Sequence, residues 1–325
     1  MISVVVPALN EESGVAELYT RITSAAQSWP QPLHELILID DGSTDRTLAI
    51  CREIAQKDPR FKVISLSRNF GHQPAVSAGL AHVTGSVVVV MDADLQDPPE
   101  SVGPLISKLD EGFDVVYAIR TKRKEGIAKR AAYFLYYRLL RNLATLNIPL
   151  DSGDFCVMRG EVVQAICALP ERNRFIRGLR TWVGYRQVGV TYERNARFAG
   201  EPKYTLSKLM KLALDGIVNF SAKPLHLAMI AGVVVGSIAL LLSTIVVVQY
   251  IFDLTVLGYN PRHVAGWTSL ILVLLLVSAT QLFCIGILSE YIGRLFEESK
   301  RRPVFLVRER INIIPPPDPD TYRER

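Results

Sequence analysis

The chain of 325 residues has room for one substantial domain and something smaller. With 49% hydrophobic and 21% charged residues it reads as neither disordered nor a polytopic transporter. A net charge of +5 suits an anionic partner, such as a nucleotide diphosphate, a lipid phosphate or a membrane surface, and the lack of a basic stripe with interleaved aromatics argues against nucleic acid.

The chain starts on a strand-like run, Ile2 to Val6, with no charged-then-apolar leader before it. Nothing there would be cleaved, which keeps the N-terminal domain in the cytosol. Up to residue 120, short Val- and Ile-rich runs at 2–6, 34–39, 62–66, 86–91 and 114–118 alternate with amphipathic stretches such as 12–28, 44–57 and 99–111. Continuous apolar runs separated by helices predict parallel strands buried on both faces. The expected fold is a doubly wound α/β sheet, whose ligands sit beyond the carboxyl ends of the strands.

Residues 121–225 turn basic and α+β in character. Segment 126–145 carries an aromatic stripe (Tyr133, Phe134, Tyr136, Tyr137) among Lys129, Arg130, Arg138 and Arg141, and 204–221 has the same mix. These read either as surface helices over the sheet or as amphipathic helices at lipid headgroups. Residues 226–292 hold two apolar runs, about 227–252 and 267–288, free of Asp, Glu, Lys and Arg. Each exceeds the roughly 20 residues that cross a 30 Å hydrocarbon core. Lys203, Lys208, Lys211 and Lys223 precede the pair, and Arg294, Lys300, Arg301 and Arg302 follow it. The excess of positive charge puts both flanks, and both termini, on the cytoplasmic side of the inner membrane, with only the loop 253–266 outside.

Residues 293–325 form a cytoplasmic tail ending in a Pro-rich polar stretch. Within it, 303–314 is predicted to be a strand that joins a sheet edge, either that of a neighbouring subunit, which would make the chain a homo-oligomer, or that of its own domain. Cys51, Cys156, Cys167 and Cys284 are widely spaced with no CxxC pair, and read as reduced core residues.

Three motifs carry chemistry. In Met91-Asp92-Ala93-Asp94-Leu95-Gln96-Asp97 an apolar run ends by projecting Asp92 and Asp94 at the sheet's carboxyl edge. Alternate residues of an extended end share a side, so both carboxylates can converge on one ligand, and hard oxygen donors suit Mg2+ or Mn2+. In Ile39-Asp40-Asp41-Gly42-Ser43-Thr44 two acids end a strand, Gly42 turns the chain, and Ser43 or Thr44 is expected to cap the next helix. A carboxylate there can accept from the N3–H of a pyrimidine. In Val4-Val5-Val6-Pro7-Ala8-Leu9-Asn10-Glu11-Glu12 a strand closes on acids.

In their order along the chain the motifs resemble the family-2 glycosyltransferases with the GT-A fold, over about residues 1–225. Within that family the chain is similar to the polyisoprenyl-phosphate glycosyltransferases, which include dolichol-phosphate mannose synthases and bacterial undecaprenyl-phosphate glucosyl- and aminoarabinosyltransferases. Further signatures are Arg68 to Gly79 (RNFGHQPAVSAG), Asp94 to Glu100 (DLQDPPE), Asp151 to Phe155 (DSGDF) and Arg197 to Leu206 (RFAGEPKYTL). The resemblance implies a GT-A-type, mostly parallel sheet followed by interface helices and a two-helix transmembrane hairpin. It implies that Pro7, Leu9, Glu11 and Asp41 frame the uridine of a UDP-sugar. Asp92, Asp94 and Gln96 would surround the metal and diphosphate, Arg120 and Arg130 hold the acceptor phosphate, and Arg197 and Lys203 close over the donor diphosphate. Relatives often carry Ser where Pro202 stands, which puts that loop's grip on phosphate in doubt.

The same resemblance implies an inverting transfer, best guessed as glucose from UDP-glucose. A phosphate monoester with a second pKa of about 6 is already dianionic at neutral pH and hardly needs a general base. Asp154 is then a base, an orienter of the acceptor, or simply a partner of a nearby Arg; His72 and His82 read as structural. The alternatives are a transferase to a neutral lipid hydroxyl, which would leave Arg120 and Arg130 without a purpose, and a non-catalytic nucleotide-binding scaffold. Neither GxGxxG nor a P-loop is present, and no QxxRW stands near 172–182.

Overall fold

In Ile2–Ala8 (β1) every residue is buried, as a strand covered on both faces requires. The structure, a computed structural model, describes residues 1–121, 152–172, 174–193, 223–255 and 266–313. β1 lies between β2 (Leu33–Asp40) and β4 (Val87–Val90), parallel to both, and β3 (Phe61–Leu66) extends the parallel set beyond β2. The registers Ala8 opposite Asp40, Asp40 opposite Ser65 and Val5 opposite Val90 align the carboxyl ends of these strands along one edge.

The remaining strands are β5 (Val115–Thr121), β6 (Ser152–Arg159), β7 (Gln187–Glu193) and β8 (Val307–Ile311), in the sheet order β7-β5-β6-β4-β1-β2-β3-β8. The sheet is mostly parallel, as expected, with two exceptions. β6 runs antiparallel between β4 and β5, so the fifth strand of the first half is not a neighbour of the fourth. Phe155, Cys156, Val157 and Met158 are all buried, which suits β6 to a central position whatever its direction.

Helices cover both faces. Ile2, Val4, Val6 and Ala8 share a core with α1 (Val15–Ala25), α2 (Thr47–Lys57) and α4 (Val102–Asp110). Each of these helices buries one stripe: Val15, Leu18 and Ile22; Thr47, Cys51 and Ala55; Val102, Leu105, Ile106 and Leu109. On the opposite face lies α3 (His72–Leu80), which the apolar patterning left unassigned. A Cβ on its Gly79 would come within 2.4 Å of Val5 Cγ1 and 2.7 Å of Ile39 Cδ1, so only glycine lets this helix pack so close to the sheet. Two short helices follow, α5 (Gly160–Ala168) and α6 (Ile176–Trp182).

The expected tail strand exists, and of the two partners left open it takes its own domain. β8 pairs antiparallel with β3 of its own chain, with Ile311 opposite Val63, and Ser67 N–H donates to the Leu306 carbonyl at 2.9 Å. β3 otherwise ends the sheet with an open edge, and Val307, Glu309 and Ile311 turn their half-buried side to the domain while Arg308 and Arg310 face water.

The chain divides into two compact units, one holding the sheet, its helices and β8, the other two long helices. These are α7 (Lys223–Phe252) and α8 (Trp267–Ser299). Ala228–Gln249 and Leu276–Ser299 are long and apolar enough to cross a membrane, and neither is buried by the rest of the chain. The expected 267–288 lies wholly within α8 and overlaps the second stretch. Leu240 and Leu282 are 71% and 70% exposed, whereas the core helix of a soluble domain would be covered. Cys284 Sγ lies 3.5 Å from the Ala228 carbonyl, joining the two helices, and all four cysteines are free. The expected interface helices 126–145 and 204–221 lie outside the described residues.

Candidate functional site

The loops that leave β1 and β2 are knitted together. Asn10, with φ of 55°, donates its N–H to Ser43 Oγ (3.0 Å) and accepts from Thr44 N–H (2.9 Å). Glu11 N–H donates to Thr47 Oγ1 at 2.9 Å, and Arg46 N–H donates to Glu12 Oε2 at 3.0 Å. Pro7 is buried within β1, and Leu9 and Glu11 sit half-buried just beyond it. The expected helix cap is corrected: the cap position falls on Arg46, which makes no side-chain cap bond, and Asp45 just before it, not Ser43 or Thr44, accepts the Thr47 N–H at 3.0 Å.

Asp40 and Asp41 are both almost fully buried. Asp40 accepts from Ser43 N–H (3.0 Å) and Ser65 Oγ–H (2.9 Å). Asp41 accepts the N–H groups of Phe70 (2.7 Å) and Gly71 (2.9 Å), so the expected uridine ligand clamps the loop after β3. Burial pushes its carboxyl up, against the pull of those two bonds. The loop also passes close to Gly42, where a Cβ would lie 2.7 Å from the Arg68 carbonyl carbon and the Asn69 nitrogen, and where φ is +73°.

Beyond β4 the chain alternates. Met91, Ala93, Leu95 and Asp97 are buried, while Asp92, Asp94 and Gln96 are partly exposed, although the segment is a turn rather than the expected extended strand end. Leu95 takes φ of 56°, Gln96 N–H donates to Asp94 Oδ1 at 3.1 Å, and the Tyr192 hydroxyl donates to buried Asp97, which ties the loop to β7. Two carboxylates and an amide oxygen from one loop fit a hard divalent cation that takes its other ligands from phosphates. Among the described residues no group of three His, Cys, Asp or Glu is gathered so as to hold a metal ion by itself.

Because β6 is antiparallel to β4, with Cys156 opposite Val90, its amino-terminal end brings Asp154 alongside Asp92. Arg177 of α6 holds Asp154 with two bonds, Nε to Oδ1 at 2.7 Å and Nη2 to Oδ2 at 3.2 Å. Gln73 Nε2 donates to Oδ2 at 3.3 Å, while its Oε1 accepts the Ile176 N–H at 2.8 Å. Burial would raise the Asp154 carboxyl, but the charges of Arg177 and His72 win and hold it well below the usual carboxylate range. Of the three roles open to Asp154, partner of a nearby Arg is the one the geometry supplies.

His72 stands between the two acids. Its Nε2 is 3.0 Å from Asp92 Oδ1 and its Nδ1 is 3.7 Å from Asp154 Oδ2. Burial disfavours the imidazolium, yet the bond to Asp92 and the two carboxylate charges outweigh it and set its pKa at about 9. One turn after Arg177, the guanidinium of buried Arg180 lies 5.1 Å over the Tyr117 ring. His72, Gln73, Arg177 and Arg180 were not among the expected site residues. For the first two the signal was present: residues 68–73 follow β3 at the same carboxyl edge. His82 is structural as expected, its Nδ1 2.7 Å from the Ala78 carbonyl.

Arg120 lies near the end of β5, opposite Tyr192 of β7. Arg130, Arg197 and Lys203 lie outside the described residues.

Residues 3–167 match the family model described as glycosyl transferase family 2. The chain is 44% identical to an uncharacterized glycosyltransferase, YkcC, of Bacillus subtilis over 96% of its own length and 94% of the relative's. It is 40% identical to the bactoprenol glucosyl transferase of Shigella phage SfX, over 95% and 99% of the two chains. The glucosyl-3-phosphoglycerate synthase structure from Mycobacterium tuberculosis is 26% identical, with a TM-score of 0.48 over 67% of this chain and 77% of that one. A GT-A-like sheet whose acidic loops line one edge, a family match over half of the chain and a relative aligned nearly end to end agree, and the chain belongs to glycosyl transferase family 2.

Proposed function

We propose that this glycosyltransferase moves a hexose, glucose from UDP-glucose, to a polyisoprenyl phosphate at the cytoplasmic face of the inner membrane, with inversion at the anomeric carbon. The observation that carries this reading is that His72 links Asp92, in the acidic loop after β4, to the Asp154–Arg177 pair, in a chain that also bears two unburied apolar helices. The relative named bactoprenol glucosyl transferase supports the choice of sugar and of lipid acceptor.

Asp92, Asp94 and Gln96 would hold Mg2+ or Mn2+ against the donor diphosphate. When bound, the ion supplies charge stabilisation to the departing UDP. Pro7, Leu9 and Glu11 would border the uridine, and Asp41 would act from behind by holding the Phe70–Gly71 backbone in place. Arg120 and Arg130 would bind the acceptor phosphate, and Arg197 and Lys203 the donor. Asp154 would orient groups around Arg177 rather than take a proton. That fits a phosphate nucleophile, which is ionised in its own right. The membrane helices would keep the site close to its lipid acceptor and so raise its effective concentration.

The test is transfer of labelled glucose from UDP-glucose to undecaprenyl phosphate by the purified chain in detergent. A labelled lipid that releases glucose in mild acid is the expected product. Label on a diacylglycerol instead would support a neutral acceptor, and nucleotide binding without transfer to any lipid would support a scaffold.

A further inference from the structure

We propose that His72 is a positioning residue, an imidazole bridge that fixes the Asp92 carboxylate against the Asp154–Arg177 pair and so orients Asp92 toward the metal. The proposal rests on the reading of Asp92, Asp94 and Gln96 as the metal-binding loop.

The bridge is held from both ends. Its backbone cannot drift, because Asp41 takes the N–H groups of Phe70 and Gly71 immediately before it, and Gly71, with φ of +102°, turns the chain into α3. α3 is itself seated on β1 and β2 through Gly79. On the far side Asp154 is fixed by two bonds from Arg177 and one from Gln73, the residue next to His72. Between these anchors Nε2 is within hydrogen-bond distance of Asp92, while Nδ1 lies 3.2 Å from the Gln73 side-chain nitrogen and 3.7 Å from Asp154 Oδ2. Replacing the ring by a methyl group would remove the Nε2 contact that ties Asp92 to this scaffold. A ring that donates to one carboxylate and faces another is also how outer-shell partners orient metal ligands generally.

The experiment titrates Mn2+ into the full-length chain in detergent with UDP present, following heat or the Mn2+ spectrum and not turnover. His72→Ala should weaken Mn2+ binding by about tenfold or more, the scale of losing an outer-shell partner. His72→Gln places an amide donor near the position of Nε2, and should stay within about threefold of the parent, within the scatter of a retained neutral hydrogen bond. A purely structural role for His72 would give no such rescue with unchanged melting temperature in metal-free buffer. Parent-like Mn2+ affinity in His72→Ala overturns the proposal, as does a His72→Gln protein no better than His72→Ala. Should the parent itself take up no Mn2+ with UDP, the metal-loop reading falls and the proposal falls with it.

Discussion

Arg177 grips Asp154 through two separate N–H groups, at 2.7 and 3.2 Å, with the carboxylate side chain 10% exposed and the guanidinium 29%. That contact decides what Asp154 can do. A carboxylate so paired is ionised throughout the physiological range and is a weak proton acceptor.

Asp154→Asn is therefore expected to lower kcat/KM by about 10–100-fold through lost orientation, the range seen for outer-shell partners. The shape of the pH–rate profile between pH 5.5 and 9 should not change. If Asp154 were the base, the variant would lose an acid limb present in the parent. Its folded-state carboxyl is depressed, so its stabilising contribution is complete above the unfolded value of about 3.9 and is lost only as pH falls below that. Thermal melts at pH 6 and pH 8 should then show the same penalty for the variant.

Asp94→Ala should remove more turnover than the roughly 10–100-fold of an outer-shell loss, because it deletes a proposed direct ligand. The side chain is half-exposed on a loop, so melting in metal-free buffer should hardly move. Chelator should abolish activity of the parent, and Mn2+ or Mg2+ should restore it. Turnover that persists in excess chelator would remove the metal from the mechanism.

At the opposite end of the sheet Glu35 is fully buried and accepts from Lys62 Nζ, Ser3 Oγ, and the Thr84 N–H and hydroxyl. Burial works to raise its pKa, but the bonds from Lys62, Ser3 and Thr84 prevail and lower it. Glu35→Ala would strand these donors and should cost about 3–5 kcal/mol, read as a fall in the denaturation midpoint. The KM for UDP-sugar should not change in the protein that remains folded. Because the folded pKa is depressed, the contribution is present above the unfolded value of about 4.3 and disappears as pH falls through the lower folded one. Parent and variant should therefore converge in stability only in strong acid.

The seam between β8 and the domain offers a comparison of two interactions. Arg52 pairs with Glu309 with both side chains over a third exposed, and Arg52→Ala should cost only about 0–1 kcal/mol. Asn312, just after β8, donates to the carbonyls of Ala55 (2.7 Å) and Phe61 (2.9 Å) and has φ of 58°. Asn312→Ala loses both bonds and adds left-handed strain, about 2–3 kcal/mol together. Asn312→Gly loses only the bonds and should fall between the two variants. The order Arg52→Ala, Asn312→Gly, Asn312→Ala in increasing damage is checked by calorimetry of the three proteins.

Runs such as Val4 to Val6 and Val87 to Val90 could be placed in the sheet from sequence alone, since a strand covered on both faces has no polar residue to spare. The stripe Val15, Leu18, Ile22 is a helix by its spacing, and the apolar residues at 91, 93 and 95 already marked Asp92, Asp94 and Gln96 as the partly exposed ones between buried neighbours. The two apolar helices were equally plain, because nothing in water rewards so many exposed leucines. Hydrophobic period reports burial, however, and burial carries no direction and names no neighbour. Phe155 to Met158 read the same whether β6 runs with the sheet or against it, and only the antiparallel pairing carries Asp154 to Asp92. His72 looked structural because its two carboxylate partners lie 20 and 82 residues away along the chain. Arg177 and Gln73 became site residues for the same reason, and β8 found its own β3 because that edge was open once the tail had folded back. What depended on one residue's pattern with its near neighbours was determined by the sequence. What depended on two distant segments meeting, and on the sign of the charges that met there, was decided by the tertiary structure.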